Sequence, residues 1–223
     1  GELAAARWAR GLPGPLYLVG GTWRALAAFA MHRDKYPLSD PHAYRIPAAE
    51  ALKGARRLAT MKPEELVAID GISASRAAGP PDAAAMLAVL VDKLAPESLV
   101  ISSWGLREGL LFDRLEDAER AADPLLAAVT RFTAPRGASL SGATMMAGWT
   151  AAVAGSAGPG SERLRLAATL LAKAQAHLEP NMRLRHSFDW AMDKRWVGLD
   201  HRGRALIGAA LRGAAGKPEP TPD

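Results

Sequence analysis

The strand-forming pattern of this sequence stops halfway along the chain, and no other feature constrains the fold as strongly. Short apolar runs typical of buried strands occur at residues 15–19 and 98–102, and each is followed by a helical pattern. After Asp123 no such run occurs, and helical patterns follow one another. Strands that alternate with helices indicate an α/β layer, and consecutive helices indicate an all-α unit. We therefore expect an α/β unit followed by an all-α unit.

The helices are predicted from capping residues, proline positions and apolar spacing. In the first unit, Thr22 is the expected N-cap of a helix that begins at Trp23. The predicted helices span residues 23–31, 47–60, 63–70, 80–94 and 105–115 in the first unit, and 124–132, 141–154, 161–178, 185–196 and 201–211 in the second. The pattern divides the chain into domains 1–120 and 121–223. The last seven residues contain three prolines and are expected to form a disordered tail.

Composition excludes several classes of protein. The chain contains no cysteine, which excludes disulfides, zinc–thiolate sites and cysteine nucleophiles and favours a reducing compartment, so we expect a cytoplasmic protein. No apolar run reaches the roughly 18 residues that a membrane-spanning helix requires, so no membrane partner is expected. Because the chain begins with Gly1 in a helix-like segment, we expect it to be a trimmed piece of a longer protein.

Positive charge is concentrated in the last third of the chain. Residues 1–120 contain 15 Lys and Arg against 15 Asp and Glu, whereas residues 161–223 contain 11 against 7. This asymmetry indicates that the second unit contacts an anionic partner. A solvated basic surface would give the same pattern, and Arg185 is spaced to pair with Asp189 along one helix. Both interpretations stay open.

Two turns have the layout of an anion-binding site. Gly20, Gly21 and Thr22 join a strand directly to a helix, where glycines let backbone N–H groups approach an oxyanion and the helix dipole favours negative charge. The later segment SSWGLREG repeats this layout, and Arg107 and Glu108 in its first helical turn would face a cleft beyond the strand ends. The alternatives are a tight turn capped by Thr22, a Glu108 that only caps its helix and an Arg107 that pairs at the surface.

The sequences of these turns resemble those of a known enzyme family. LVGGTWRALA at 18–27, followed about eighty residues later by SSWGLREGLL at 102–111, is similar to the second lobe of the Ppx/GppA phosphatases. These enzymes belong to the sugar kinase/actin/Hsp70-like superfamily. The segment between the two motifs fits as well, although RAAG at 76–79 replaces the family's Arg-Ala-Asp. The resemblance implies a ribonuclease-H-like topology for the first unit.

The resemblance also implies an activity. Members of the family hydrolyse phosphoanhydride bonds in inorganic polyphosphate or guanosine pentaphosphate and release orthophosphate, often with Mg²⁺. Their catalytic glutamate and two phosphate loops lie upstream of the Gly-Gly-Thr turn, and no Asp-x-Gly-Ser or Gly-Gly-Gly-Ser sequence occurs here. We therefore expect this chain to supply one wall of the site, to contain no catalytic residue and to be catalytically silent by itself. The residues implied at that wall are Gly20, Gly21, Thr22, Arg107 and Glu108.

The second unit resembles, more faintly, the HD-like domain of longer family members. The similarity lies in LAATLL at 166–171 and in HSF at 186–188. A metal-dependent HD site needs a His-Asp pair, but Ala172 and Lys173 stand where the pair would be. We therefore expect no metal in this unit and none bound by the chain alone.

The basic residues of the second unit suggest a track for a polyanion such as polyphosphate. The predicted track residues are Arg183, Arg185, Arg195, Arg202 and Arg204. The expected partners are polyphosphate or guanosine pentaphosphate, and a homodimer is compatible with the sequence. Nucleic acid is not favoured, because the sequence has no aromatic stacking pattern or recognition-helix signature. The alternative to an enzyme is a non-catalytic sensor that binds polyphosphate or a guanosine alarmone.

Overall fold

The computed structural model describes residues 14–77, 79–153 and 159–216, and the chain divides into two compact units between Leu111 and Phe112. The first unit combines a sheet with helices, whereas the described part of the second contains helices only. This order confirms the expected α/β unit followed by an all-α unit. The tail predicted at 217–223 lies outside the described residues.

The first unit is built on a three-stranded sheet. Its elements are β1 (Leu16–Val19), α1 (Gly21–Arg33), β2 (Arg45–Pro47), α2 (Ala48–Ala59), α3 (Pro63–Val67), α4 (Ala74–Ala77), α5 (Pro80–Leu94), β3 (Ser98–Ser102) and α6 (Leu106–Phe112). β3 is the central strand, with β1 parallel on one side and β2 antiparallel on the other. Because β1 and β3 are parallel neighbours, their carboxyl ends meet at one edge of the sheet.

The core of the first unit lies on one face of this sheet. The register places Leu18 beside Ile101 and Ile46 beside Leu99, and all four side chains are buried. Residues of α1, α2 and α5 pack into the same cluster, and α2 lies against α5. The apolar runs that predicted β1 and β3 therefore supply the sheet side of this core.

Strand β2 was not expected from the sequence. Pro47 was predicted to open a helix, but it ends β2 and precedes α2, which begins at Ala48. The strand has only three residues, too few to show an alternating pattern, and it forms because Ile46 is buried beside β3. Proline is tolerated here because β2 lies at the edge of the sheet in the described residues.

The predicted N-cap of the first helix is wrong by two residues. Helix α1 begins at Gly21 with Gly20 as its N-cap, so Thr22 lies in the first turn. Gly20 has a φ of 135°, which L-residues with a side chain rarely adopt, and this conformation lets the chain enter the helix directly after β1. The helix also continues past Met31 to Arg33.

The described residues of the second unit form the five predicted helices and one that was not predicted. Its elements are α7 (Asp117–Ala121), α8 (Pro124–Thr133), a 3₁₀ turn (Ala134–Arg136), α9 (Leu140–Trp149), α10 (Pro159–Gln175), α11 (Pro180–Met192) and α12 (His201–Ala214). The unpredicted helix is α7, whose five residues are all exposed and so lack an apolar face. The core of the unit includes Leu170 and Leu171 of α10 and Ile207 and Leu211 of α12.

Several helix boundaries in the second unit differ from prediction, most of all those of α9 and α11. Helix α9 ends at Trp149, before the predicted residue 154, and α11 spans Pro180–Met192 where 185–196 was predicted. Proline suits the first turn of a helix, which explains the earlier start of α11. Trp196 lies beyond the helix but is buried, and its indole N–H donates to the Trp190 carbonyl at 2.7 Å. Among the described helices, none is both long and apolar enough to cross a membrane.

Candidate functional site

The candidate site lies where β1 and β3 end side by side. Val19 and Ser102 are register partners, so the two turns that follow them are neighbours. A Cβ atom on Gly105 would lie 3.1 Å from Val19 Cγ1, which shows how closely the second turn approaches β1. The two glycine turns lie side by side at one edge of the sheet because their strands pair in parallel.

The turn after β1 leaves the start of α1 open. The first intrahelical bond at this end is donated by Arg24 N to the Gly20 carbonyl at 3.2 Å, so the N–H groups of Gly21, Thr22 and Trp23 have no partner within the helix. The N-cap is a glycine without a side chain, and the first turn contains no acidic residue. Unbonded N–H groups and the helix dipole together favour an anion at this position.

Arg76 lies directly over this turn. Its Nε is 3.0 Å from the position that a Cβ on Gly21 would occupy, so glycine is needed for the arginine to approach this closely. The arginine's Nη1 donates to the Gly71 carbonyl at 3.4 Å, a weak bond that leaves most of its donors unused among the described residues. The turn therefore has a cationic side chain beside its open N–H groups. Arg76 was not among the predicted site residues, and its place in the RAAG segment was the one available signal.

The turn after β3 is closed by its own side chains. Glu108 accepts a hydrogen bond from the Gly105 N–H at 2.7 Å, as a carboxylate in the first turn of a helix can. This backbone bond is the main reason that the pKa of Glu108 is lowered, with its own N–H and Arg107 acting in the same direction and burial opposing them. Arg107 is 86% exposed and pairs with Glu108 at 3.2 Å. In this geometry Glu108 caps its own helix and Arg107 pairs with it at the surface, as in the alternative interpretation of the sequence. Phosphate binding by these two residues stays a prediction.

Two other polar groups of this second turn have no hydrogen-bond partner. They are the Ser103 hydroxyl oxygen and the Trp104 indole nitrogen, and both atoms are buried. The Ser103 backbone N–H donates to His42 Nδ1 at 3.0 Å, and the His42 and Trp104 rings meet edge-to-face with centroids 5.8 Å apart. The imidazole thus holds the turn in place, while the hydroxyl and indole groups have no partner among the described residues. Ser103 and Trp104 belong to the SSWGLREG motif, but the sequence predicted a role for neither.

The predicted polyanion track is incorrect at Arg204. This side chain is fully buried and donates to the Met192 carbonyl at 2.5 Å, so it cannot contact a polyanion at the surface. Arg183 is half-buried and donates to the carbonyls of Leu178 and Ala176, at 2.8 and 3.0 Å. The remaining three track residues are exposed: Arg185, Arg195 and Arg202.

No metal-binding cluster is found within the described ranges. Three or more His, Asp or Glu side chains that could hold one ion do not occur together there. The Mg²⁺ that the family resemblance implies therefore has no such cluster of ligands among these residues. The chemistry that the site offers on its own residues is the binding of an anion by N–H groups and Arg76.

A comparison with family models reports a match over this part of the chain. Residues 9–118 match the model described as the Ppx/GppA phosphatase family, which confirms the family that the two turns resemble. The match includes both turns, Arg76 and His42, and ends at Ala118, near the start of the helical unit. A comparison with curated proteins finds none that matches the chain.

Proposed function

We propose, from the membership of residues 9–118 in the Ppx/GppA phosphatase family, that the open turn after β1 holds a phosphate group of a phosphoanhydride substrate. The substrate would be inorganic polyphosphate or guanosine pentaphosphate, and its hydrolysis would release orthophosphate. The observation that carries this proposal is the guanidinium of Arg76 lying over the uncapped start of α1.

Each group at this turn has a defined task in the proposal. The N–H groups of Gly21, Thr22 and Trp23 donate to phosphate oxygens, since they have no helical partner. Arg76 adds a charge-assisted bond and neutralises part of the phosphate charge. Phosphoryl transfer depends largely on positioning and on charge neutralisation, so a site of this kind contributes to catalysis without a reacting side chain.

We assign the attack of water on phosphorus to residues that this chain does not contain. The resemblance places the catalytic glutamate and both phosphate loops in motifs that do not occur here. We accordingly propose that the described sheet belongs to a ribonuclease-H-like lobe and the helices to an HD-like domain of a cytoplasmic hydrolase. The chain alone should hold phosphate but release none.

A non-catalytic sensor is the second candidate. The observation that favours it is the RAAG sequence at 76–79, which lacks the aspartate of the family's Arg-Ala-Asp. A sensor would use the same turn and Arg76 to bind polyphosphate or a guanosine alarmone. Both candidates therefore predict phosphate binding, and only turnover separates them.

The binding proposal is tested by calorimetric titration of the chain with inorganic tripolyphosphate and with guanosine pentaphosphate. We expect saturable binding that Arg76→Met weakens by at least tenfold, because the variant keeps the aliphatic stem and removes the charge. Arg56→Met is the matched control, since Arg56 is an exposed arginine of α2 in the same unit. Equal losses in both variants, or no binding to the unmodified chain, would contradict the proposal.

Turnover is tested by measuring orthophosphate release from both substrates. We expect none from this chain above a mock preparation and a measurable rate from the full-length protein if the protein is an enzyme. A full-length protein that binds but never hydrolyses either substrate would support the sensor. Release by the chain alone would contradict the assignment of the chemistry to other sequence.

A further inference from the structure

The loop between α1 and β2 reaches the end of β3 through one histidine. His42 is 7% exposed, and its Nδ1 accepts a hydrogen bond from the Ser103 N–H at 3.0 Å. The loop is fixed on both sides of this residue: the Asp40 carboxylate accepts from the His42 N–H at 3.2 Å, and the Ala43 N–H donates to the Ile101 carbonyl at 2.8 Å. Ala43 has a φ of 66°, a left-handed conformation that is costly for a residue with a side chain. Contacts with β3 therefore hold the loop in the conformation that places the imidazole here.

The hydrogen bond at Nδ1 defines the protonation of the His42 ring. A ring nitrogen accepts a hydrogen bond only when it has no proton, so the bond requires the neutral imidazole with its proton on Nε2. In the other neutral tautomer and in the cation, Nδ1 is itself a donor and would face the Ser103 N–H with a proton. The bond thus exists in one of the three forms of this side chain.

The turn after β3 satisfies two of its three consecutive N–H groups by itself. Ser102 Oγ accepts from the Trp104 N–H at 3.1 Å, and the Glu108 carboxylate accepts from the Gly105 N–H at 2.7 Å. The remaining group is the Ser103 N–H, whose partner comes from the loop between α1 and β2. The imidazole therefore ties the turn to a distant segment, whereas the other two bonds close the turn on itself.

The turn after β3 supports the open turn after β1. Val19 ends β1 and directly precedes Gly20, the N-cap of α1. A Cβ atom on Gly105 would lie 3.1 Å from Val19 Cγ1, so the backbone of the second turn rests against the side chain that leads into the first. The His42 ring also meets the Trp104 ring edge-to-face, which adds a packing contact to the hydrogen bond. A shift of the second turn would therefore move the start of α1.

We infer that His42 is a positioning residue of the phosphate site, because its Nε2–H tautomer holds the turn after β3 against the turn after β1. The inference rests on the function proposed above, since its effect is measured as phosphate binding. His42 acts through the Ser103 N–H and the contact at Val19, and not through a contact with the ligand. Donors that are fixed before the ligand arrives bind it more tightly, because less order has to be imposed on binding.

Two replacements of His42 separate the hydrogen bond from the packing of the ring. His42→Asn keeps an acceptor near the position of Nδ1, because its Oδ1 is bonded to the same Cγ atom, but it removes the ring. His42→Phe keeps a ring against Trp104 and removes the acceptor. In calorimetric titration with inorganic tripolyphosphate, we expect His42→Phe to weaken binding by about fivefold and His42→Asn by less than about twofold, which is the scale of one hydrogen bond. A role in packing alone predicts the opposite order.

NMR spectroscopy reports the tautomer and the hydrogen bond directly. We expect the ring-nitrogen shifts of His42 in the unmodified chain to show a proton on Nε2 and none on Nδ1. The Ser103 amide should exchange with solvent faster in His42→Phe than in His42→Asn. A proton on Nδ1 in the unmodified chain would overturn the inference, and this measurement needs neither a variant nor a ligand.

The matched control is His32→Phe, at an exposed histidine in the last turn of α1, and it should bind tripolyphosphate like the unmodified chain. Thermal unfolding shows whether each variant is folded. If His42→Phe does not fold, a loss of about fivefold or more in His42→Asn would still overturn the inference. Equal affinity in His42→Phe and the unmodified chain would overturn the inference alone. No binding of tripolyphosphate to the unmodified chain would contradict the proposed function, and the inference with it.

Discussion

The two units use their polar groups in opposite ways. In the helical unit, several arginines hold the fold together: Arg204 and Arg183 donate to backbone carbonyls, and Arg163 bonds both Asp123 and the Gly198 carbonyl. In the sheet unit, the N–H groups at the start of α1 and the polar atoms of Ser103 and Trp104 lack partners within the fold. The more basic unit therefore has fewer cations available for a ligand than its charge suggests.

The largest effect is expected from removing the buried arginine. Arg204→Ala deletes a fully buried side chain and leaves the Met192 carbonyl without this donor. We expect a loss of about 3 kcal/mol in the free energy of unfolding, from the cavity and the unpaired carbonyl together. Urea unfolding followed by circular dichroism measures this loss.

Arg202→Ala is the control for that measurement. Arg202 lies two residues earlier in α12 and is exposed, so its loss should change the free energy of unfolding by less than about 0.5 kcal/mol. If Arg204→Ala and Arg202→Ala had the same free energy of unfolding, the buried Arg204 would not stabilise the helical unit. The contrast between the two units would then fail.

The second prediction concerns the two glycines of the turn after β1. Gly20→Ala forces a side chain into a φ of 135° and should destabilise the chain by about 2 kcal/mol. Gly21→Ala is in helical conformation and should have little effect on stability, but its methyl group would lie 3.0 Å from Arg76 Nε and push the guanidinium away. We therefore expect Gly21→Ala to weaken tripolyphosphate binding with near-normal stability.

Urea unfolding and calorimetric titration on the same two variants separate these effects. A Gly21→Ala chain that binds tripolyphosphate as the unmodified chain does would remove Arg76 from the site. A Gly20→Ala chain of unchanged stability would mean that the turn relaxes into an ordinary conformation. Either result would weaken the contrast between an open binding turn and a helical unit in which several arginines bond to the fold itself.

The sequence predicts correctly those elements that have a local signal of their own, such as an apolar run or a proline at the start of a helix. Strands β1 and β3 have apolar runs, and α5 begins at two prolines and continues as an apolar helix. Strand β2 and helix α4 escaped prediction because three or four residues contain too little periodicity, and tertiary contacts stabilise them. The family match to residues 9–118 confirms the resemblance that the two glycine turns had indicated.

The site is predictable from sequence only where its parts are local. Gly20 and Gly21 follow directly from a strand–turn–helix pattern, whereas Arg76 reaches the turn from a distant segment, and His42 bonds Ser103 across 61 residues of sequence. The polyanion track failed at Arg204 because charge alone does not distinguish a buried arginine from an exposed one. Contacts between distant segments require the three-dimensional packing.

The third prediction separates two neighbouring arginines of α11. Arg183→Ala removes two bonds to carbonyls near the end of α10 and should cost about 1 kcal/mol in the free energy of unfolding. Arg185→Ala should be neutral for stability, since its side chain is exposed. If the exposed arginines contact polyphosphate, Arg185→Ala should lower the slope of log affinity against log salt by about 0.7.

Binding of long-chain polyphosphate at several salt concentrations, together with urea unfolding, distinguishes these roles. An unchanged salt slope in Arg185→Ala would indicate a solvated surface at this position. In the full-length protein, replacing both arginines should raise KM for long chains more than for short ones, with kcat on short chains nearly unchanged. Equal losses on long and short chains would assign both residues to the fold.

The smallest effect is expected at Glu108, which closes the second turn of the sheet unit. The Gly105 N–H holds the pKa of this carboxyl below its ordinary value of 4.5. A carboxyl whose pKa is lower in the folded state stabilises the fold above its unfolded pKa, and this contribution disappears as the pH falls through the folded pKa. The start of α6 should therefore loosen only in acid, below about pH 4.5.

NMR titration of the Gly105 amide measures this directly, because its proton is donated to the Glu108 carboxylate at a distance of 2.7 Å between nitrogen and oxygen. We expect a midpoint below 4.5, faster amide exchange at Gly105 in Glu108→Gln, and loss of the titration in that variant. Glu97→Gln, at an exposed glutamate before β3, should leave the Gly105 titration unchanged. A midpoint at or above 4.5 would show that the second turn is as open as the first. In that case, Arg107 and Glu108 would return as candidates for contact with a ligand at the edge of the sheet.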